Sequence, residues 1–176
     1  MGEYVRKLLR ATMVALALSG SVLAPVASHA AGEIDLLDSY IGDWRGEGAL
    51  VGGDQPEPFR CRLGVSQGNL NKINYTGRCT LVNATLSISG TIAYNEAERR
   101  YEAAMSSNAG YTGLAIGRQS GGNISFDLRE QAKDRAGSDV RIGARILLVG
   151  ESITVDFEVE FNNSGDVLTA SVPFSR

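Results

Sequence analysis

Few residues in this chain are equipped for chemistry. Its 176 residues include one histidine, His29, two cysteines, Cys61 and Cys79, and an alternating acidic run at Asp156, Glu158 and Glu160. His29 lies in a stretch that reads as a secretory signal peptide. Arg6, Lys7 and Arg10 form a basic start, and Ala11 to Val26 is an apolar run interrupted by Gly20 and Pro25, too short for a membrane span. Ser28-His29-Ala30 then supplies small residues at the −3 and −1 positions of a cleavage site. Cleavage after Ala30 leaves residues 31–176 as one domain with no histidine. That excludes a Ser-His-Asp triad, a histidine general base, and histidine-ligated zinc or haem.

Cys61 and Cys79 are an even pair in a chain read as exported, to the periplasm or the medium, and such a pair implies a disulfide. A catalytic thiol or a metal pair would lack a histidine partner and further ligands. Removing Arg6, Lys7, Arg10 and Glu3 from 17 basic and 20 acidic residues leaves 14 against 19, a balance of −5. This mild acidity argues against nucleic acid or an anionic membrane surface as the main partner. No cofactor is implied. Asn74, Asn83, Asn123 and Asn162 begin glycosylation-type triplets, which matter only in a eukaryotic secretory route.

The elements that position these residues are mostly strands. Ile34, Leu37, Tyr40 and Ile41 give Glu33 to Ile41 the pattern of a two-turn amphipathic helix, suited to capping one end of a larger structure. From Trp44 onward the hydrophobic period is two. Folding 57–67 and 71–82 about Leu70 sets Cys61 opposite Cys79, Phe59 opposite Leu81 and Val65 opposite Tyr75. One register thus satisfies both the disulfide and the apolar face, and a one-residue slip would break both.

Further hairpins follow. A turn at Asn83-Ala84 sets Leu81 opposite Leu86, and one at Glu96-Ala97 sets Ile92 opposite Tyr101 and Ile88 opposite Met105. Strand 111–118 presents Leu114 and Ile116, and crosses Gln119 to Gly121 to face Ile124, Phe126 and Leu128. Strand 138–149 turns at Gly150-Glu151, and Asn163 to Asp166 returns the chain for a last strand through Phe174. Segments 52–56, 107–110 and the charge-rich 129–137 read as connections. The expected fold is all-β: a closed antiparallel up-and-down barrel of about ten strands, with the short N-terminal helix capping one end.

The inward face carries Trp44, Tyr75, Tyr94, Tyr101, Met105, Phe126 and Phe157 among aliphatic residues. Its polar exceptions are tyrosine hydroxyls and Thr112, with no Asp, Glu, Lys or Arg. Acid–base catalysis needs a titratable group that the site can tune, and this face offers none, so no catalytic residue is expected. Asp156, Glu158, Glu160, Arg141 and Arg145 fall on the outward parity. The interior admits two readings: a filled core, or a cavity for an apolar small molecule. Gly46, Gly48, Gly77, Gly90, Ala103, Ala144 and Ala170 share the inward parity, where small residues leave room or relieve strand coiling.

Gly42-Asp43-Trp44-Arg45-Gly46-Glu47-Gly48 resembles the opening of calycin-superfamily barrels, which begin on G-x-W after a short helix. The longer form G-x-W-x-G-x-G is similar to nitrobindin-type ten-stranded barrels. The resemblance spans Glu33 to Phe174 and implies a barrel with the tryptophan at its closed end. Nitrobindin-type proteins hold haem through a late histidine, and this chain has none after processing. Fatty-acid carriers of the superfamily clamp a carboxylate with inward arginines and a tyrosine, whereas here the matching positions carry Phe157, Val159, Leu168 and Ala170.

Beside an enzyme reading, which would need a pocket in which Tyr75, Tyr94 or Tyr101 meets a carboxylate, two functions stand open. One is a non-enzymatic exported barrel that binds a small apolar molecule, with Trp44, Tyr75, Tyr94, Tyr101, Met105, Phe126 and Phe157 as interior contacts. The other is an interaction module for an exported or periplasmic protein, such as a protease or lysozyme inhibitor, with a filled barrel as scaffold.

Overall fold

The computed structural model describes residues 27–82, 84–133 and 136–176. The expected signal peptide therefore lies outside the described residues, apart from positions 27–30. Helix α1 (Ala27–Asp38) leads into ten strands: β1 (Gly42–Leu50), β2 (Glu57–Gln67), β3 (Lys72–Thr80), β4 (Thr85–Asn95), β5 (Arg100–Ser107), β6 (Thr112–Ser120), β7 (Asn123–Lys133), β8 (Asp139–Val149), β9 (Ser152–Phe161) and β10 (Val167–Ser175). Each strand pairs antiparallel with its sequence neighbours, and β1 meets β10, so the sheet closes into a barrel. Closure removes the sheet edges that a meander would otherwise expose.

The β2–β3 register agrees with the alternation, with Cys61↔Cys79 and Val65↔Tyr75. The two cysteines are disulfide-bonded across the strands, 18 residues apart. The β8–β9 turn at Gly150-Glu151 also matches, with Val149↔Ser152 flanking it. Two hairpins slip by two residues while keeping their faces. Leu86 pairs with Cys79 rather than Leu81, and Ile92 pairs with Ala103 rather than Tyr101. The β4–β5 turn is longer than two residues, and Arg99 adopts a positive φ of 51° within it. Because strand side chains repeat every two residues, such a slip leaves each one on its original face.

One strand is the reverse of expectation. Leu114 and Ile116 point outward, 83% and 54% exposed, and Thr112 is exposed as well. Gly113, Ala115 and Gly117 face inward instead, opposite Met105, Ala103 and Tyr101. The cause is volume. A Cβ on Gly117 would lie 2.7 Å from both the Phe126 ring and the Tyr101 Cβ, and one on Gly113 would lie 3.0 Å from the Leu128 methyls. Large neighbours on both sides leave room only for small residues, so the aliphatic side chains take the outer face. The 129–137 connection is also shorter than expected, since β7 runs to Lys133. That extension puts Glu130 on the inward parity at the barrel rim, where it is exposed, so the inward face is not wholly free of charge.

The two barrel ends differ. At one end Trp44, Ile73, Tyr101, Ile124, Phe126, Leu148 and Ile153 are buried, together with Leu37 and Tyr40 from the helix segment. The helix starts at Ala27 and ends at Asp38, earlier at both ends than the Glu33–Ile41 pattern suggested. Its exit tightens: the Tyr40 and Ile41 amides donate to the Leu37 and Asp38 carbonyls, three residues back. At the other end Leu81, Leu86, Ile88, Met105, Phe157, Val159, Phe161 and Ala170 are inward yet half-buried. The β1–β10 seam is ladder-paired at Arg45↔Ser175 and Gly46↔Phe174 and is bridged again at Val51↔Thr169. Pro173, which has no N–H to donate, lies between.

The disulfide closes an 18-residue separation in the unfolded chain, which by chain-entropy reasoning stabilises the fold by about 3 kcal/mol. The double variant Cys61→Ser, Cys79→Ser is therefore expected to melt roughly 6–12 °C lower by calorimetry. An unchanged melting temperature would show that the bond contributes nothing.

Candidate functional site

The closed end is built around Trp44, which is 1% exposed. Its indole N–H donates to the Tyr40 carbonyl at 2.9 Å, and its ring stacks on Tyr40 with centroids 6.3 Å apart. The Arg176 guanidinium sits 4.4 Å above the Trp44 ring and also donates to the Ser39 carbonyl. Nearby, the Tyr101 hydroxyl donates to the Glu33 carboxylate, and the Gln119 amide donates to the same oxygen at 2.8 Å. Helix, first strand and C-terminus are thus tied together over one end of the barrel.

Beneath this plug lies an interior cavity of about 40 Å3 with a wholly apolar lining. Tyr40, Ile73, Tyr75, Ile92, Met105 and Ala144 are among its walls, with Ile146, Leu148, Ile153 and Val155 from β8 and β9. Of the seven interior residues singled out from the alternation, Tyr75 and Met105 line it. Trp44, Tyr94, Tyr101 and Phe126 pack into the closed end, with the Tyr94 and Tyr101 rings 5.1 Å apart. Phe157 sits half-buried toward the open end.

The inward glycines do not leave the room that their size suggested. The Tyr75 ring lies where a Cβ on its cross-strand partner Gly90 would be. Ile88 covers Gly77 and Phe59 covers Gly48 in the same way, 2.8 and 3.0 Å from where a Cβ would lie. Among the small inward residues Ala144 alone lines the cavity. The alternation did not show Tyr40, which belongs to the helix pattern, or Tyr111, which shares the inward parity of Gly113 and Ala115 and not that of Leu114 and Ile116.

Burial governs the chemistry of the tyrosines. Burial pushes the Tyr75 hydroxyl up, with a smaller effect from Tyr111. Burial is also the first cause of the upward shift of Tyr101, followed by its hydrogen bond to Glu33. Tyr111 is pushed up to about 12, again by burial first and then by the Glu130 charge at the rim. Tyr40 and Tyr111 each bury a hydroxyl with no protein partner. Tyr75 donates to the Ala104 carbonyl at 3.3 Å. These hydroxyls are held protonated, as hydrogen-bond donors rather than bases.

The outward carboxylates are mostly paired. Over β7–β10 runs an open groove of about 1110 Å3. On it Arg141 pairs with Glu160, Arg145 with Asp127 at 2.6 Å, and Asp156 accepts from the Ser171 hydroxyl at 2.6 Å. These are cross-strand charge pairs of the kind that stabilise an exposed sheet face. Among the described residues no cluster of His, Cys, Asp and Glu could hold a metal ion, and no helix is long and apolar enough to cross a membrane.

No family model matches the chain, and no curated protein matches it. Solved structures do. Rv2717c from M. tuberculosis superposes with a TM-score of 0.62 at 14% identity, covering 82% of this chain and 96% of that one. The S-type phycobiliprotein lyase CPES from Guillardia theta superposes at 0.52 with 15% identity, covering 80% and 89%. These likenesses are of fold alone: a closed antiparallel barrel, which in this chain has ten strands.

The raised tyrosines carry a pH dependence. The folded chain keeps protons that the unfolded chain releases above the ordinary tyrosine value of 10.0, so stability is full below that value and is lost as pH rises past it. Urea unfolding midpoints are expected to hold from pH 8 to about 9.5 and then fall, while tyrosinate absorbance lags that of the unfolded chain. A midpoint that is flat through pH 11 would contradict this.

Proposed function

We propose that the protein is an exported, non-enzymatic β-barrel that takes a small apolar molecule into its central cavity through the open end. The observation that carries this reading is the cavity itself: lined by apolar surface, walled at the plug end by Tyr40, and bordered by the half-buried apolar Ile88 and Met105. Its 40 Å3 also limits the ligand. Sites for drug-sized molecules run to about 300–1,000 Å3, so the fitting occupant is an apolar species of a few heavy atoms. Met105, half-buried and unbranched, is the wall most able to adjust. The signal-peptide pattern and the even cysteine pair support export. The calycin-like fold, which the Trp44 motif resembles in its nitrobindin-type form, supports a container role without a haem-ligand histidine.

The exposed Leu114 and Ile116 favour a second reading. With Ala104, the cross-strand partner of Leu114, they form an apolar strip on the outer wall. That strip suits contact with another exported protein, with the barrel as scaffold. An inhibition screen against proteases and lysozymes reads it: loss of inhibition in Leu114→Ser supports it, and no inhibition by the unaltered protein removes it.

Apolar cavities bind xenon, so xenon NMR tests the first reading. The protein is expected to show a saturable xenon shift, and Ala144→Val, which fills the cavity, is expected to abolish it. The added methyls cost at most about 1–3 kcal/mol of stability. Absence of xenon binding in the unaltered protein would overturn the cavity reading.

A further inference from the structure

On the wall away from the ion-paired groove, three arginines stand side by side. Arg45 is the cross-strand partner of Arg62, and Arg62 is the cross-strand partner of Arg78. All three are exposed on the outer face. Strands lie about 4.7–4.9 Å apart, so the guanidinium-bearing positions span roughly 10 Å across β1, β2 and β3. Like charges directly opposite each other destabilise a sheet. Elsewhere on this barrel such positions are matched: Arg60 pairs with Glu47 at 2.9 Å, Arg141 with Glu160 and Arg145 with Asp127. Among the described residues none of the three arginines in the row has an ion-pair partner.

The adjoining row differs in kind. Asp43, Gly64, Thr76, Ser89 and Ser106 are successive cross-strand partners from β1 to β5. Four of the five side chains are short hydroxyls or absent. Ser87 continues the arginine row as the partner of Arg78. Together the two rows line an open groove of about 840 Å3. It has long cationic side chains along one side and a floor of hydroxyl donors.

We propose that this groove binds a short soluble oligophosphate. Arginine presents a rigid fork of N–H donors that meets phosphate oxygens two at a time, and serine and threonine hydroxyls can donate to the oxygens that remain. Carboxylates on either side of the arginine row bound the anion. Glu47 flanks the row on one side, tied to Arg60, and Asp43 flanks it on the other. With a whole-chain balance of −3 behind them, these carboxylates disfavour a long polyanion and leave one row's length for a short one.

Isothermal titration of the protein with tripolyphosphate at low ionic strength tests this. Binding is expected, weakening as salt is raised. Arg62→Ser and Arg78→Ser are each expected to weaken it at least tenfold, while Arg141→Ser on the opposite wall leaves it unchanged. Asp43→Asn is expected to tighten it. Thermal melts separate binding from structure: without phosphate, Arg62→Ser is expected to melt at or above the unaltered protein, because it relieves like-charge repulsion, and tripolyphosphate is expected to raise the melting temperature of the unaltered protein more than that of Arg62→Ser or Arg78→Ser. No binding at millimolar tripolyphosphate, equal binding by Arg62→Ser and Arg78→Ser, or equally tight binding of citrate would overturn the proposal.

Discussion

The hydrogen bond from the Trp44 indole to the Tyr40 carbonyl is the constraint on which the rest of this barrel depends. Tyr40 lies in the turn after the helix and Trp44 is the third residue of the first strand, so the bond sets the angle at which the chain enters the sheet. Arg176, almost at the other terminus of the fold, stacks on the same indole. The seam where β1 meets β10 is thus held beside the plug, where its ladder pairing is intact at Arg45 and Gly46. A closed ring needs its first and last strands joined, and the aromatic cluster joins them where the core is driest. Among the described residues the opposite end has no such cover, and its inward side chains stay half-buried.

That asymmetry separates the interior from the exterior in chemical terms. Inside, the polar groups are tyrosine hydroxyls held neutral by burial, and the space left over is small and apolar. Outside, charge is arranged by strand register. Over β7 to β10 basic and acidic positions face each other and neutralise, whereas over β1 to β3 three basic positions face each other and do not. A stable sheet would be built from the first arrangement everywhere. Keeping the second costs stability, which is why it marks a surface kept for a ligand.

How much of this was legible depends on range. The disulfide, the face of most strands and the capping helix were readable because they rest on alternation and on local turn residues such as Gly150-Glu151. The two-residue slips at Leu86 and Ile92 were not readable, because a shift by a full period leaves the alternation unchanged. Strand β6 was misread for a different reason. Its faces are decided by Phe126, Leu128 and Tyr101 on neighbouring strands, which fill the interior before Leu114 or Ile116 can enter it. The same non-local volume hid the state of the core. Gly77 and Gly90 looked like room, yet Ile88 and Tyr75 occupy the space they free. Tyr75 and Met105 were legible as cavity walls, while Tyr40 was not, since it reaches the cavity from the helix side.

Dissolved oxygen is itself a small apolar molecule, and its paramagnetic effect on side-chain NMR relaxation maps where such a molecule goes. A barrel sealed at Trp44 and open beyond Phe157 predicts a graded pattern: strong relaxation enhancement at the Met105 and Ile88 methyls and weak enhancement at Ile124 in the closed end. Enhancement that is equally weak at all three, leaving only the outward Leu114 and Ile116 affected, would contradict a central cavity that small molecules enter.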